Sequence, residues 1–331
     1  MTASTAMRWR VETWDPAYGA STEDPSELSR SSAKVTLDVE FPSDRWHPVE
    51  PDWAAPSWPS VLFVDGVRRI DAMAWVLDEP AGAAASLALC ASYAAGVVCC
   101  RPGAAHLLGA EVRRGLFSPA EHATDVVTRA GRYIRVPATV RPDSPAPGQE
   151  LTLAVQRQLG EVELAAAGRA RDGLAAHHPE WSDDDLLVVD GPLRGRAHLP
   201  RTLGYIKTHR SEYLPTALHQ LAGALRVGQR TPVFELGTSW RRYTWYLRLP
   251  GGSVAPWAGV VRVECSADLP VAEVVSLASR SQPMLCRYAS TEYKDSRAPQ
   301  NLYPIAGLER ELRRRLGDQA LLYRAIRHAA A

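Results

Sequence analysis

The chain has 331 residues, of which 46% are hydrophobic, and its formal net charge at pH 7 is +1. This apolar content is enough for one large core or two modest ones. A net charge near zero excludes the broad basic field typical of many nucleic-acid-binding proteins, so any site for a polyanion must be local. The 38 basic residues include only three lysines, Lys34, Lys207 and Lys294.

Along the chain, apolar periodicity and turn residues predict strands first, then a crossing helix, then alternating strands and helices. We place an N-terminal extension at residues 1–50 and one domain at residues 51–331. The predicted strands cover residues 33–40, 61–64, 70–77, 86–99, 111–117, 186–189, 232–236, 243–249 and 259–264. The predicted helices cover residues 151–176, 212–225, 270–280 and 302–328, the last with a break at Gly317-Asp318. This order predicts an α/β fold with an RNase H-like mixed sheet flanked by helices, and with extra N- and C-terminal elements.

The cysteines and the N-terminus bear on the cellular compartment. Five cysteines without a C-x-x-C pair argue against a disulfide framework and a zinc site, and predict reduced thiols. The sequence has no apolar leader near Met1 and no apolar run of about 18 residues. We therefore expect a cytoplasmic protein.

Two predicted strands run into an Asp-Gly pair, Asp65-Gly66 and Asp190-Gly191. If the strands are neighbours, aspartates at their ends can meet, and paired carboxylates suit a hard cation such as Mg²⁺ or Mn²⁺. Asp-Gly is also typical of a tight hairpin turn that carries no chemistry. The sequence leaves both interpretations open.

A third acidic ligand is expected from the helix predicted at residues 151–176. At about 100° per residue, Glu163 falls within the apolar sector of this helix and Glu161 points away from it. A carboxylate on a buried face is costly unless it is paired or bound to metal, so Glu163 is the candidate ligand. The alternative is a salt-bridged glutamate at the edge of the core.

Lys207 stands out in a chain that uses arginine almost everywhere. A compact ammonium beside a carboxylate and metal centre can hold a phosphate or steer an attacking water. A solvated loop lysine is the simpler alternative on residue type alone.

Several of these segments occur in a familiar order, and together the chain resembles the NurA nuclease family. The resemblance rests on Phe63-Val-Asp-Gly66, the helix with Glu163, Val188-Val-Asp-Gly-Pro-Leu193, Gly204-Tyr-Ile-Lys207, Trp240-Arg-Arg-Tyr-Thr-Trp-Tyr-Leu247, Ala298-Pro-Gln-Asn-Leu-Tyr-Pro-Ile305 and Leu308-Glu-Arg-Glu-Leu312. It spans roughly residues 35–328.

The resemblance implies an RNase H-like core and Mn²⁺- or Mg²⁺-dependent cleavage of DNA. It also implies a homodimer that processes DNA ends with a hexameric HerA-type ATPase. By this resemblance Asp65, Glu163 and Asp190 match the acidic metal ligands, and Lys207 matches the basic residue of a later motif. Some family members have a histidine after the Tyr-Pro motif, where this chain has Leu308-Glu309-Arg310, so Glu309 is a possible substitute.

These observations lead us to expect a two-metal DNA nuclease in which Asp65 bridges two cations about 4 Å apart. Asp190 and Glu163 would complete the site, and Lys207 would offset phosphate charge. Arg68, Arg69 and Arg313-Arg-Arg315 are candidates for contacts with the DNA backbone, although a solvated face explains the helical run equally well.

Two other functions stay open. One is a catalytically degenerate RNase H-like protein that serves the ATPase as a structural or DNA-binding partner. The other is a nuclease that acts on RNA or on an RNA–DNA hybrid, since the sequence has no feature that reads a 2′-hydroxyl.

Overall fold

The computed structural model describes residues 29–30, 33–77, 85–141, 143–182, 184–195, 198–209, 211–238, 240–251 and 256–330. Most of the predicted N-terminal extension therefore lies outside the described residues. The protein is α/β, with a large mixed sheet flanked by helices, which confirms the predicted fold class.

The secondary structure follows the predicted order of elements. The strands are β1 (Ser29–Arg30), β2 (Lys34–Thr36), β3 (Ser60–Leu77), β4 (Ala85–Arg101), β5 (Ala104–Ser118), β6 (Val126–Thr128), β7 (Gly131–Pro137), β8 (Asp185–Asp190), β9 (Thr202–Ile206), β10 (Ser211–Glu212), β11 (Phe234–Gly237), β12 (Arg241–Arg248) and β13 (Val260–Ser266). The helices are α1 (Pro147–His177), α2 (Pro179–Ser182), α3 (Thr216–Gly223), α4 (Val271–Tyr288), α5 (Tyr303–Arg315) and α6 (Gln319–Ala329). Strands β3, β4 and β5 precede helix α1 and strand β8, with β6 and β7 between β5 and α1.

The chain divides into two compact units. Unit 1 comprises Met1–Trp58 and Leu186–Ala306, and unit 2 comprises Pro59–Asp185 and Gly307–Ala331. The predicted boundary after residue 50 falls inside the first segment of unit 1.

Unit 2 is built on the strand order β3-β4-β5-β7-β6, antiparallel throughout except for the parallel pair β5–β7. Helix α1 covers one face through Leu151, Val155 and Leu159, which pack with residues of β4 and β5. Helix α5 covers the opposite face, where Leu308 and Leu312 pack with residues of β3 and β4. Helices therefore cover both faces of this sheet around the middle of β4, while the end of β3 from Met73 to Leu77 keeps exposed apolar side chains.

Unit 1 is built on the strand order β2-β11-β12-β13-β9-β8, antiparallel except for the parallel pair β8–β9. Strands β1 and β10 form a separate parallel pair. Trp46, Phe234 and Tyr246 belong to its apolar core, so residues before the sheet also pack into it.

Unit 1 also contains a buried ion pair. The Arg230 side chain is 1% exposed and donates to both carboxylate oxygens of Glu40, over 2.7 and 2.8 Å. The guanidinium further donates to Gln282 and Ser279, so its N–H groups are occupied inside the core. A bidentate arginine–carboxylate pair with added hydrogen bonds is the arrangement that best offsets the cost of burying two charges.

Several predicted elements differ from the structure. Strands predicted at residues 61–64 and 70–77 form the single strand β3, because β4 pairs with it along its whole length and supplies the missing backbone partners. Strands β1, β6, β7, β9 and β10 and the short helix α2 were not predicted. Helix α4 was predicted to end at Arg280, but it continues through Pro283 with a buried face that tertiary packing stabilises.

Two further expectations concern the cysteines and the membrane. All five cysteines are buried and free of disulfides, in agreement with the predicted thiols. Among the described residues, no helix combines the length and the apolarity that crossing a membrane requires.

Candidate functional site

Asp65 lies in the interior of β3 and is opposite Gly96 of β4. The prediction that it ends a strand is therefore wrong, and Asp65-Gly66 is not a hairpin turn. The Asp65 side chain is only 6% exposed, and its Oδ1 accepts a hydrogen bond from the Gly66 N–H at 2.7 Å. A buried carboxylate in a sheet interior is costly, so this aspartate needs polar or ionic partners.

Gly66 is required by the close approach of α1. A Cβ added at this position would lie 2.5 Å from Glu163 Oε1 and 2.6 Å from Leu159 Cδ1. A larger residue here would force the ends of the Glu163 and Leu159 side chains to move away from β3. Glu163 is 6% exposed whereas Glu161 is exposed, which confirms the helical register predicted from the sequence.

Asp65 and Gly66 point to opposite faces of the sheet, because successive strand residues alternate. Gly66 faces α1, and Gly96, which is in register with Asp65, faces α5 through contacts near Leu308. Glu309 on α5 is 8% exposed, although it is a carboxylate on a helix packed against the sheet. Unit 2 thus offers Asp65 and Glu309 on the α5 side and Glu163 on the α1 side.

Asp190 is the last residue of β8, as predicted, and it forms an ion pair with Lys207. The Lys207 Nζ to Asp190 Oδ2 distance is 2.5 Å, and the two side chains are 12% and 13% exposed. Lys207 is therefore not a solvated loop lysine. The next residue, Gly191, has a φ of 105° and open space where a Cβ would lie. Glycine is therefore favoured here by the backbone conformation rather than by lack of space.

Asn301 holds the other side of Lys207. Its Oδ1 accepts a hydrogen bond from Lys207 Nζ at 3.0 Å, and its Nδ2 donates to Asp295 Oδ2 at 2.7 Å. Asn301 is fully buried. The sequence reasoning did not single out Asn301 or Asp295, although Asn301 lies within the Ala298–Ile305 motif.

Asp295 is held ionised by its neighbours. Burial alone would raise the pKa of this carboxyl, but hydrogen bonds from the Arg297 backbone N–H and the Asn301 amide, with the charge of Arg297, bring the pKa below its usual value. The Arg297 N–H donates to Asp295 Oδ1 at 2.8 Å. The series Asp190, Lys207, Asn301, Asp295 thus joins two anions through one ammonium and one amide.

The same segment is fixed to the strand before Lys207. Gln300 Nε2 donates to the Lys207 carbonyl at 3.2 Å, and the Tyr205 hydroxyl on β9 donates to the Gln300 carbonyl at 2.6 Å. Burial, and then the charge of Asp190, raise the pKa of Tyr205 well above its ordinary value, so this hydroxyl keeps its proton and its hydrogen bond. Backbone and side-chain contacts together hold residues 300 and 301 against Lys207.

Several arginines predicted to meet DNA have partners inside the protein. Arg69 donates to Asp71 and to the Gly317 carbonyl, and Arg68 donates to Gln156. On α5, Arg314 and Arg315 both pair with Glu311. These pairs of α5 are exposed, so they are weak and leave the guanidinium groups accessible.

Comparisons with known proteins now bear on these positions. The NurA domain family matches residues 126–314, more than half of the chain and the part that includes Glu163, Asp190, Lys207 and Asn301. The chain belongs to the NurA family. This confirms the resemblance seen in the sequence.

Solved structures similar to this member of the NurA family include two nucleases. The NurA nuclease from Sulfolobus solfataricus is 11% identical, with a TM-score of 0.44, and the alignment covers 82% of this chain and 84% of that one. The catalytic domain of human Endonuclease V is 15% identical, with a TM-score of 0.36, and the alignment covers 83% of this chain and 92% of that one. No curated protein matches the chain significantly.

Proposed function

We propose that this protein is a divalent-metal-dependent nuclease that hydrolyses phosphodiester bonds in DNA. Membership of the NurA family supports a nuclease. The observation that supports the metal dependence is a pair of buried carboxylates within unit 2, from Asp65 and Glu309, which have oxygens within 4.8 Å of each other.

The chemistry of this group selects the ion. Both side chains offer carboxylate oxygen rather than nitrogen or sulfur, which favours Mg²⁺ or Mn²⁺ over zinc or copper. Two buried like charges at such spacing repel one another, and a divalent cation would relieve that repulsion. Asp65 and Asp190 were predicted as ligands from the sequence, and we add Glu309, which was a possible substitute for the family's histidine.

Glu163 stays in the proposal as a fourth acidic group. Its carboxylate lies over Gly66, one residue from Asp65, but it approaches β3 from the α1 face. In that position we expect it to complete the ligand set of a second cation or to bind a metal-held water. The arrangement predicted from the sequence has two cations held by Asp65, Glu163 and Asp190. We add Glu309 to these ligands.

Lys207 supplies the positive group of the proposed site. Its ammonium lies against Asp190 and is fixed by Asn301, so it can offset the charge of a phosphate held nearby. A bound divalent cation would supply Lewis acidity, lowering the pKa of an attacking water and stabilising the leaving oxygen. The carboxylates would hold and orient that cation.

The proposal extends to partners. We expect a cytoplasmic homodimer that acts in DNA end processing with a HerA-type hexameric ATPase, since a near-neutral chain gains phosphate contacts by using two copies. Light scattering at micromolar concentration tests the dimer, and a stable monomer with undiminished cleavage would remove it from the mechanism. Co-purification with the ATPase, compared with the ATPase alone, tests the partnership.

The experiment that tests the activity uses linear DNA with Mn²⁺, Mg²⁺ or a chelator. Glu161 and Glu163 offer a matched pair, because both are glutamates of α1 but only Glu163 is buried beside β3. We expect Glu163→Gln to reduce cleavage and Glu161→Gln to leave it unchanged. Cleavage that survives chelation would overturn the proposal, and binding of DNA without cleavage under any metal would favour the degenerate alternative. Preferential cleavage of a matched RNA or hybrid would instead favour the second alternative.

A further inference from the structure

Within unit 1 the Lys207 ammonium is held from two sides, by Asp190 and by Asn301. We infer that Asn301 is a positioning residue that fixes the Lys207 ammonium against Asp190 and thereby sets the rate of the phosphodiester cleavage proposed above. The expected effect of Asn301 on the cleavage rate rests on the proposed function. The positioning of the Lys207 ammonium by Asn301 does not, because it concerns only contacts within unit 1.

The hydrogen bonds define which way the Asn301 amide points. Lysine has only donors and an ionised aspartate has only acceptors. Asn301 lies between Lys207 and Asp295, so its oxygen must face the ammonium and its NH₂ must face the carboxylate, as the distances of 3.0 and 2.7 Å require. The depressed pKa of Asp295 keeps that carboxyl an acceptor at neutral pH.

The amide suits both neighbours because it offers an acceptor and a donor from one side chain. An aspartate at position 301 would place two carboxylates against each other, and a leucine would leave the buried faces of Lys207 and Asp295 without a hydrogen-bond partner. Asn301 is fully buried, so water cannot easily replace it. The neighbouring Gln300 helps to keep the asparagine at this distance, because its side-chain amide donates to the Lys207 carbonyl and its carbonyl accepts from the Tyr205 hydroxyl.

The contact with Asn301 restrains the long, flexible side chain of Lys207. A free lysine side chain loses about 2 kcal/mol of rotamer entropy when it is fixed at one position. Asn301 and Asp190 fix the ammonium before any substrate binds. The activation free energy of the cleavage step therefore does not include this loss of rotamer entropy. We therefore expect Asn301 to affect kcat and to leave the KM for DNA unchanged.

Because the chain has few lysines, the NMR signal of the Lys207 ammonium can be identified directly. The protein has only Lys34, Lys207 and Lys294, and the first and last are exposed. With ¹⁵N-lysine labelling, we expect one slowly exchanging ammonium signal by NMR, assigned by its loss in Lys207→Met. Asn301→Leu should abolish this signal. Gln229→Met, which alters a buried amide of the same unit that bonds to Glu50, should leave it.

A swap tests the polarity of the contact. Asn301→Asp alone should remove the ammonium signal or shift it, because the new carboxylate faces Asp295. Adding Asp295→Asn restores a donor opposite an acceptor, so the double variant should recover both the signal and the folded stability. If position 301 needed only a polar side chain of that size, Asn301→Asp alone would already keep the signal and the stability, which would contradict the inference.

The kinetic arm is a double-mutant cycle. Asn301→Leu should lower kcat by up to about 10²-fold with KM unchanged, the scale of a misplacement of about 1 Å. In the Lys207→Met background it should cause no further loss, whereas independent effects would multiply. Multiplying losses, or an ammonium signal that persists in folded Asn301→Leu, would overturn the inference. A wild-type protein that cleaves nothing would overturn the proposed function, while the NMR arm still decides the positioning.

Discussion

The two Asp-Gly pairs of this protein look alike in sequence and differ in structure. Asp65-Gly66 lies inside a long strand of unit 2, where Gly66 makes room for side chains of α1. Asp190-Gly191 ends a short strand of unit 1, where Gly191 has a φ of 105° and no neighbour near its missing Cβ. One glycine is there for space and the other for backbone conformation.

This difference teaches that a dipeptide motif does not define a local structure. Gly66 leaves space for the side chains of α1, whereas Gly191 adopts a positive φ that other residues rarely adopt. The aspartates also differ, because Asp190 has Lys207 as an ionic partner within its own unit. The four predictions below separate these roles.

The largest effect is expected for the two aspartates. Asp65→Asn and Asp190→Asn should each reduce metal-dependent cleavage by at least about 10²-fold, because each removes a carboxylate charge that we propose as a cation ligand. Their stabilities without metal should differ. Asp65→Asn should be neutral or slightly stabilising through relief of repulsion, whereas Asp190→Asn should cost about 1.5–3 kcal/mol through loss of the hydrogen bond to an ammonium. Urea unfolding in chelator measures the difference, and equal stabilities would contradict it.

The next effect concerns space at Gly66. Gly66→Ala should destabilise the protein by about 1–3 kcal/mol, because the new methyl group overlaps Glu163 and Leu159. Leu159→Ala should be less damaging in the Gly66→Ala background than in the wild type, since each change then compensates the other. Additive free energies of unfolding would show that the contact is not the cause.

Gly191 should respond differently. Gly191→Ala should cost about 1–2 kcal/mol through backbone strain at positive φ. Truncating neighbouring side chains should not rescue it, because open space surrounds the position. Thermal unfolding of Gly191→Ala with and without Leu193→Ala checks this, and a rescue would assign the cost to crowding instead.

The smallest effect is the pH dependence that Asp295 contributes. Its pKa in the folded protein is depressed, so it stabilises the fold above its unfolded pKa of about 3.9, and this contribution is lost as pH falls through the folded value. Asp295→Asn should therefore flatten the acid side of the stability curve below about pH 4. Urea titrations from about pH 6 to about pH 3 measure it. An unchanged acid limb would mean that the carboxyl titrates normally.

Much of the site could be read from local pattern. The buried position of Glu163 follows from helical periodicity alone, and Asp190 follows from an apolar run that stops at Asp-Gly. The interior position of Asp65 could not be read in the same way. The polar residues Arg68 and Arg69 interrupt the apolar pattern of β3, and only pairing with a distant strand keeps the strand intact.

The contacts around Lys207 were beyond sequence reasoning for a different reason. Asn301 is 94 residues away from Lys207, and a hydrogen bond at that separation leaves no periodic signal. The residue type gave a hint, because an asparagine that is buried needs partners, but burial itself depends on the fold. Glu309 was found only as a replacement for a histidine, through family resemblance.

The buried pair of Arg230 and Glu40 decides where this chain can be shortened. A truncation that begins at residue 51 would remove Glu40 and leave the Arg230 guanidinium inside unit 1 without its counter-ion, a loss of about 3–5 kcal/mol. It would also remove β2, which pairs with β11, and Trp46 from the core. Fragments expressed for crystallography should therefore begin before Ala33. Aggregation of a shorter fragment would be explained by the unpaired Arg230 guanidinium inside unit 1 rather than by a defect in the nuclease site.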